Sequence, residues 1–500
     1  MTQMNTPVLV GTAQLLERES DPAVAMTPLQ MLTQIAREAS EDADVGERLL
    51  KEIDTIGIVE IPAWNPRNAP ALLGEQLGVR PASTLCTVAG GEIPLVLVNH
   101  VAKRIEDGQT RVALIAGTNN FKTLQHAMKE KSSLDWEQGG KGEPQVIGTQ
   151  KPSACDREKQ HDLWLPIHFY PIFENALRAR RGLDLESHRV QMGRLMQRFT
   201  RIAAKNPNAW FPVERGVDEL TIPDVTNRMI CFPYTKYLNA VLDTNQAAGI
   251  LMLSAQAARE LGISEGKLVY WWGGTSTEED PWFVSERPDL AESVSLQRCA
   301  EETFARTGTS IEDMDLIDFY SCFPVAVELA AEAFGVDEND PRGLTVTGGL
   351  PYAGGPGSNY TLHSLATMVG RLQARPGSTG LVTGNGMFLS SHSSVVISTE
   401  PRGPSRGDAG AKSFIRSKSA LPEIAEEASG RGTIETYTVI CDRSGAPELG
   451  VVLGRLDDGR RFVANTPSGR PFLEDFVAVE QVGRKGRVRH IDDRNIFEPS

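Results

Sequence analysis

A strand–helix alternation that occurs twice along the chain limits the possible folds more than any other feature. In the first 120 residues "PVLVGTAQ" reads as a buried strand, "TPLQMLTQIAREASEDA" as an amphipathic helix opened by Thr-Pro, and "IDTIGIVEI" as a second strand. "IPLVLVNHVAKRIEDGQ" follows as a helix with a broad apolar face, and "RVALIAGTN" as a strand ending at a glycine turn. Strand, helix and strand at this spacing predict a parallel sheet covered by helices. Residues 290–400 repeat the layout with "SVSLQRCAEETFARTG", "MDLIDFYS", "VAVELAAEAFGV", a glycine-rich loop with its helix, "STGLVTGNG" and "SSVVISTE". Two halves of like order predict an internal duplication, although no residue-level repeat is visible.

Between residues 120 and 235 the alternation fails. "LDWEQGGKGEPQVIGTQKPS" and "WLPIHFYPIFENALRARRG" are rich in Gly, Pro and aromatics. An excursion of this length inside an α/β chain predicts a functional loop domain rather than a linker. Near the other end, "EPRGPSRGDAGAKSFIRSKSALPEIAEEASGRG" is polar and rich in Gly, Pro and Ser. Beyond it, "TIETYTVICD", "GVVLGRLDDGRRFVANT" and "FVAVEQVGRKGRVRHI" read as the strands of a small β domain. The expected organisation is a first half over 1–119 and 236–275, a loop domain over 120–235 and a second half over 276–400. A linker over 401–432 and a β domain over 433–500 complete it.

Charge and cysteine usage narrow the function classes. The net charge is −14, yet residues 401–500 carry 16 basic against 15 acidic residues, leaving −15 on the rest. The body therefore repels nucleic acid. A single-strand binder of OB type built on the tail is disfavoured, because Phe462 and Tyr437 are the main aromatics available for stacking. No apolar run of about 20 residues and no basic leader followed by an apolar stretch is present, so a soluble cytoplasmic protein without a membrane partner is expected. The six cysteines form no CxxC pair and predict reduced thiols, with neither a disulfide framework nor a zinc site.

Four phrases then resemble the thiolase superfamily, the duplicated five-layered α/β fold of acetyl-CoA acetyltransferases. "VAGGEIPLVLVNHVAKRIEDG" resembles the segment that opens a buried helix with the nucleophilic cysteine, and "MDLIDFYSCFPVAVELAAEAFG" the segment that holds the HDCF box of sterol-carrier-protein-type thiolases. "GGLPYAGGPG" lies where that family has its GHP loop, and "LVTGNGM" where it has its second-cysteine CxG loop. The small β domain is similar to the additional C-terminal domain of the branch called thiolase-like protein type 1. The resemblance implies a duplicated thiolase fold with an inserted loop domain and a small β-barrel-like domain at the C-terminus. It also implies a CoA thioester as ligand or substrate with no other cofactor or metal, and a homodimer in which edge strands such as "TLCTVAGGE" pair across a twofold axis.

The chemical residues of that pattern are missing. The nucleophile position falls on Gly91 or Glu92, the GHP histidine on Gly355, and the CxG cysteine on Val382. The HDCF box reads Tyr320-Ser321-Cys322-Phe323. Without a thiolate to acylate, ordinary thiolase chemistry has no covalent route. The candidate catalytic residues are Tyr320 and Tyr352 as acid and base, similar to the tyrosines of steroid side-chain retro-aldolases of the superfamily, with His392 as a proton carrier and Glu92 as a further candidate whose place at a helix start equally fits capping. Backbone donors around Gly354 and Gly355 are expected to hold a thioester carbonyl, and Arg178 and Arg181 to meet CoA phosphates. The expected activity is acyl transfer or C–C cleavage on a CoA thioester. The alternative is a non-catalytic acyl-CoA-binding scaffold, with the β domain engaging a protein partner.

Overall fold

The computed structural model describes residues 4–402 and 421–500. The first half supplies β1 (Pro7–Leu16), β2 (Thr55–Ile58), β3 (Ser83–Thr87) and β4 (Val112–Asn120). The insertion carries β5 (Gln145–Ile147), β6 (Met229–Cys231) and β7 (Tyr234–Thr235), and β8 (Asn245–Ser254) returns to the sheet. Counted in chain order, the strands of this half lie third, second, fourth, fifth, first. β2 runs parallel to β3 and β4, while β8 is antiparallel to both β4 and β1. The sheet is therefore mixed rather than parallel throughout. The βαβ rule covers strands joined by one crossover helix, and β4 reaches β8 only through the long insertion.

The second half repeats this order with β9 (Val269–Glu278), β10 (Leu316–Asp318), β11 (Thr379–Gly386) and β12 (Ser391–Ser398), again as second, fourth, fifth, first. The place of the third strand is taken by residues 344–347, whose Leu344 carbonyl accepts from Phe319 N–H at 3.0 Å. β9 is thus the opening strand of the second half, so the boundary falls before Val269 and not at 275. β1 and β9 pair antiparallel at Val8–Tyr270 and Leu9–Val269 and join both halves into one ten-stranded sheet.

Helices cover every face, which is why β8, β11 and β12 are buried along their whole lengths. The Ile93–Glu106 and Tyr360–Gln373 helices lie between the halves, where Leu95, Val98 and Val101 share a core with Leu365, Met368 and Val369. The Pro28–Asp42 helix covers the outer face of the first half; its start is fixed by Pro28 and a Thr27–Gln30 capping box. The Val294–Thr307 and Pro324–Phe334 helices cover the outer face of the second half. Helix, sheet, helix, sheet and helix make five layers.

The C-terminal domain is a closed barrel of β13 (Gly430–Cys441), β14 (Pro447–Leu456), β15 (Arg461–Asn465), β16 (Lys485–Ile491) and β17 (Arg494–Pro499). Its first strand pairs with the second and the fourth, and its third runs parallel to its fifth at Asn465–Ile496. This is OB-type topology. Phe462 and Tyr437 are both 0% exposed, so neither offers a stacking platform. Residues 403–420 of the expected linker lie outside the described residues. Arg402 stays with the second half, donating to the Trp272 carbonyl at 3.2 Å, and residues 421–432 belong to the barrel: Arg461 N–H donates to the Glu423 carbonyl at 2.8 Å, and β13 already begins at Gly430.

The barrel is seated on the insertion and the second half by strand pairing, buried hydrogen bonds and a shared core. β6 extends its sheet at Cys231–Ile440. Asn175 Nδ2 donates to the Tyr437 carbonyl at 2.9 Å, and Val451, Leu453 and Val463 join the core of the second half. Buried Arg461 donates to Glu435 at 2.6 Å and to the carbonyl of Arg287. Among the described residues no helix is long and apolar enough to cross a membrane. All six cysteines are free.

Candidate active site

The glycine at position 91 shows why no nucleophile stands there. A Cβ on Gly91 would lie 2.2 Å from Tyr320 Oη and 2.5 Å from the Asn385 carbonyl oxygen. Both distances are far inside van der Waals contact, so the volume a catalytic cysteine would need is already filled. Tyr320 follows β10 and is 7% exposed; its N–H donates to Thr383 Oγ1 at 3.1 Å, and its ring meets Tyr360 edge-on at 5.5 Å. Burial holds its hydroxyl protonated far above the usual phenol range, with Cys322, Glu92 and Tyr360 adding to the effect.

A second layer closes the same space from the insertion. Asn385 Nδ2 donates to Tyr170 Oη at 2.9 Å, and the Tyr170 ring stacks on Phe323 at 4.2 Å. Burial pushes the Cys322 thiol up to about 12, which keeps it a neutral thiol beside Tyr170 and Asn385. Val382, which the resemblance sets at the second cysteine's position, is 0% exposed within the core between the halves, whereas Gly384 and Gly386 of the same segment lie against Glu92.

Beside this plugged centre opens a cleft of about 650 Å³ with Glu92 in its wall. Val88, Ala89, Ile93 and Val96 come from the first half, Gly148, Thr149 and Lys151 from the insertion, and Glu278, Glu279, Asp280, Trp282, Met387 and Ser391 from the second half. Glu92 precedes the Ile93–Glu106 helix, is 5% exposed, and has one carboxylate oxygen, Oε2, without a hydrogen-bond partner. Burial raises its pKa to about 7, aided by the charge of Glu278 and opposed by its own backbone N–H and Ser391. A carboxyl that exchanges its proton near neutrality can serve as either general acid or general base.

The cleft wall carries local strain. Met387, Phe388 and Leu389 are consecutive non-glycine residues in the left-handed region, with φ of 49°, 60° and 59°. Each costs roughly 1–2 kcal/mol, and such turns persist only when their surroundings hold them. Arg287, 2% exposed, holds this one by donating to the Phe388 carbonyl at 3.2 Å and to Ser390 Oγ at 2.6 Å. At the mouth, Lys151 pairs with Glu278 and lies 4.4 Å from the Trp282 ring centroid.

The other expected site residues are elsewhere. His392 neighbours Ser391 on β12, but successive strand residues face opposite ways, so Ser391 meets the cleft and His392 the outer helix. Its Nε2 shares a 3.2 Å bond with Ser293 Oγ, and burial lowers its pKa to about 4, so it stays neutral. Tyr352 is 2% exposed and outside the cleft; its hydroxyl has no partner and burial pushes its ionisation far up.

The glycine loop turns its donors inward. Gly355 N–H donates to the Val241 carbonyl at 2.8 Å, and Tyr352 and Ala353 N–H to the Gly349 carbonyl. Gly354 has a φ of 107° and sits against Gln246, whose Oε1 would be 2.1 Å from a Cβ, so this glycine serves packing. Arg178 is buried against Glu480 of the barrel, and Arg181 is held by Glu328, Glu332 and Glu338. Neither arginine is free to meet a phosphate. Lys151, Glu278, Ser391, Tyr170 and Asn385 carried no local signal, since each gains its role from a neighbour distant in sequence.

Two like half-sheets, joined at β1 and β9 around a central pair of helices, with the four sequence phrases brought to the middle, define a thiolase fold. The chain belongs to the thiolase-like protein type 1 family, relatives of the SCP2-thiolases. It is 31% identical to a monomeric SCP2-thiolase-like protein type 1 from Mycobacterium smegmatis, with 100% of both chains covered and a TM-score of 0.83. Residues 414–493 match the family described as thiolase-like protein type 1 additional C-terminal domain. Two more distant structures share the fold. The dimeric peroxisomal thiolase of Saccharomyces cerevisiae is 14% identical, over 80% of this chain and 99% of that one, with a TM-score of 0.56. The Ltp2-ChsH2(DUF35) aldolase is 14% identical, over 79% and 98%, with a TM-score of 0.60. No curated protein matches the sequence.

The strand pairing on which the homodimer expectation rested is made within the chain. β3 pairs on one side with β2 and on the other with β5, through Leu85–Gln145, Cys86–Val146 and Thr87–Ile147. That edge is therefore covered by the insertion.

Proposed function

We propose that this protein carries out non-covalent acid–base chemistry on an acyl thioester, with Glu92 as the proton carrier. One observation carries the proposal: a buried carboxyl with a free oxygen and a pKa of about 7 lines a 650 Å³ cleft beside the position where a thiolase keeps its nucleophile. Of the two expected reactions, C–C cleavage is favoured over acyl transfer, because Cys322, the thiol beside Tyr170 and Asn385, is buried and held protonated. In cleavage of a β-hydroxyacyl thioester, the Glu92 carboxylate takes the hydroxyl proton and the Cα–Cβ bond breaks. A carbonyl compound leaves, and Glu92 returns the same proton to the α-carbon. The Ltp2-ChsH2(DUF35) aldolase, which shares the fold, is named for this class of reaction.

The acyl arm occupies the apolar wall of Val88, Ile93, Val96 and Met387. Lys151 is the cation a substrate anion would recruit, displacing Glu278. The protein works in the cytoplasm, and as a monomer, the state named for its relative from Mycobacterium smegmatis.

The test is α-proton exchange in D2O, followed by NMR, with CoA and N-acetylcysteamine thioesters. Exchange above the buffer rate, reduced at least about 100-fold in Glu92→Gln, is the expected result for a lost general base. No exchange with either series overturns the proposal. The filled nucleophile volume favours a second reading, a thioester-binding scaffold. Binding without exchange, equal in the wild type and Glu92→Gln, would establish it.

A further inference from the structure

The insertion and the second half meet at three buried side chains that the proposed reaction does not use. Glu174 comes from the Pro166–Arg180 helix, His188 from the Leu185–Ala203 helix and Glu328 from the Pro324–Phe334 helix. None is more than 1% exposed, and one ligand atom of each lies within 4.8 Å of the other two. Glu174 Oε1 and His188 Nε2 are 2.5 Å apart, and Tyr234 donates to Glu174 Oε2. Glu328 Oε2 accepts from Arg181 at 3.0 Å. Glu328 Oε1 is left buried with no hydrogen-bond partner.

Two carboxylates this close in a dry site repel each other unless a positive charge stands between them. A proton or a cation relieves the repulsion, and an added imidazole makes the set a ligand group for a first-row divalent metal. We propose that Glu174, His188 and Glu328 bind a divalent metal ion of the Zn²⁺ class that clamps the insertion to the second half.

Ligand atoms about 2.1 Å from one Zn²⁺ stand roughly 3–4 Å apart, so only a small inward shift separates these residues from coordination. Binding releases to solvent the proton shared by His188 Nε2 and Glu174 Oε1 and any proton held between the two carboxylates, and the imidazole keeps its other proton on Nδ1. Arg181, also paired with Glu332 and Glu338, is an outer partner that orients Glu328. No cysteine takes part, so a search for thiolate spacing does not find the site.

The experiment is metal analysis of the full chain, expressed in zinc-supplemented medium and desalted. The expected result is about one equivalent of zinc per chain, lost to a chelator together with a fall in thermal midpoint. Glu328→Gln, which keeps the side-chain shape and an acceptor for Arg181, is expected to hold at least tenfold less. Wild-type occupancy below about a tenth of an equivalent, from zinc- or manganese-supplemented medium alike, overturns the proposal and leaves a shared proton. Undiminished occupancy in soluble Glu328→Gln also overturns it, since the ion then sits elsewhere. Should the variant not fold, Co²⁺ is loaded into the wild type. Visible absorption of a low-coordinate imidazole–carboxylate site supports the proposal, and its absence refutes it.

Discussion

Replacing Glu92 by glutamine removes the charge and keeps the shape, which isolates the cost of an ionisable group in the cleft wall. Burial raises this carboxyl from an ordinary 4.5 to about 7. A tenfold change in proton affinity is worth about 1.4 kcal/mol, so the span corresponds to about 3 kcal/mol. The direction follows from linkage. Below about pH 4.5 both the folded and unfolded chains hold the proton and the contribution is constant. As the pH rises towards 7 the unfolded chain releases it while the folded chain still binds it, so the wild type loses stability until the folded carboxyl ionises too.

Glu92→Gln has no such dependence; its partnerless amide hydrogens add a constant cost of about 1–2 kcal/mol. Stability differences from urea midpoints, followed by tryptophan fluorescence between about pH 4.5 and pH 8.5, should shift by about 3 kcal/mol in favour of the variant and level off above pH 7. Glu60 and Glu328, also raised by burial, are common to both proteins and cancel. A difference that changes by less than about 1 kcal/mol across this range refutes the assignment of a buried, near-neutral carboxyl.

Three further outcomes are expected. Gly91→Cys restores the thiolase nucleophile but forces its Cβ against Tyr320 Oη, so it should lose about 2 kcal/mol or more and gain no thiolase turnover; a stable variant with acetoacetyl-CoA cleavage would contradict the filled-site reading. Glu480→Ala leaves the buried guanidinium of Arg178 without its carboxylate partner and should cost about 2–3 kcal/mol, discounted because Glu480 is 40% exposed. Hydrogen exchange should then rise in β13 and in the Pro166–Arg180 helix, and unchanged protection there would argue that the ion pair does not seat the barrel. Light scattering should give the mass of one chain, 54.5 kDa, because β5 covers the edge of β3; a stable dimer would mean that another surface pairs.

The local pattern of the chain determined its elements, its duplicated order and the lack of a cysteine where the resemblance sets the thiolase nucleophile. Hydrophobic periodicity encodes which face of a helix or strand is buried, and a missing cysteine is visible without coordinates. The tail also reads as a β domain, and its resemblance to the additional C-terminal domain already implied a barrel-like form. Tertiary structure alone decided what occupies the site. Tyr320 reaches the volume beside Gly91 only because β10 and the start of the Ile93–Glu106 helix meet in the folded chain. Arg178 and Arg181 look like phosphate ligands along the sequence, yet carboxylates from residues 480, 328, 332 and 338 fold onto them. His392 and Ser391 are adjacent in sequence, and the two-residue period of β12 puts one in a sealed core and the other in the cleft. Glu92 looks along the sequence like an ordinary carboxylate at a helix start, whereas burial against Gly90, Gly386 and the strands of the second half moves its proton affinity to neutrality. Burial, charge pairing and side-chain direction depend on contacts between distant segments, and those contacts exist only once the chain has folded.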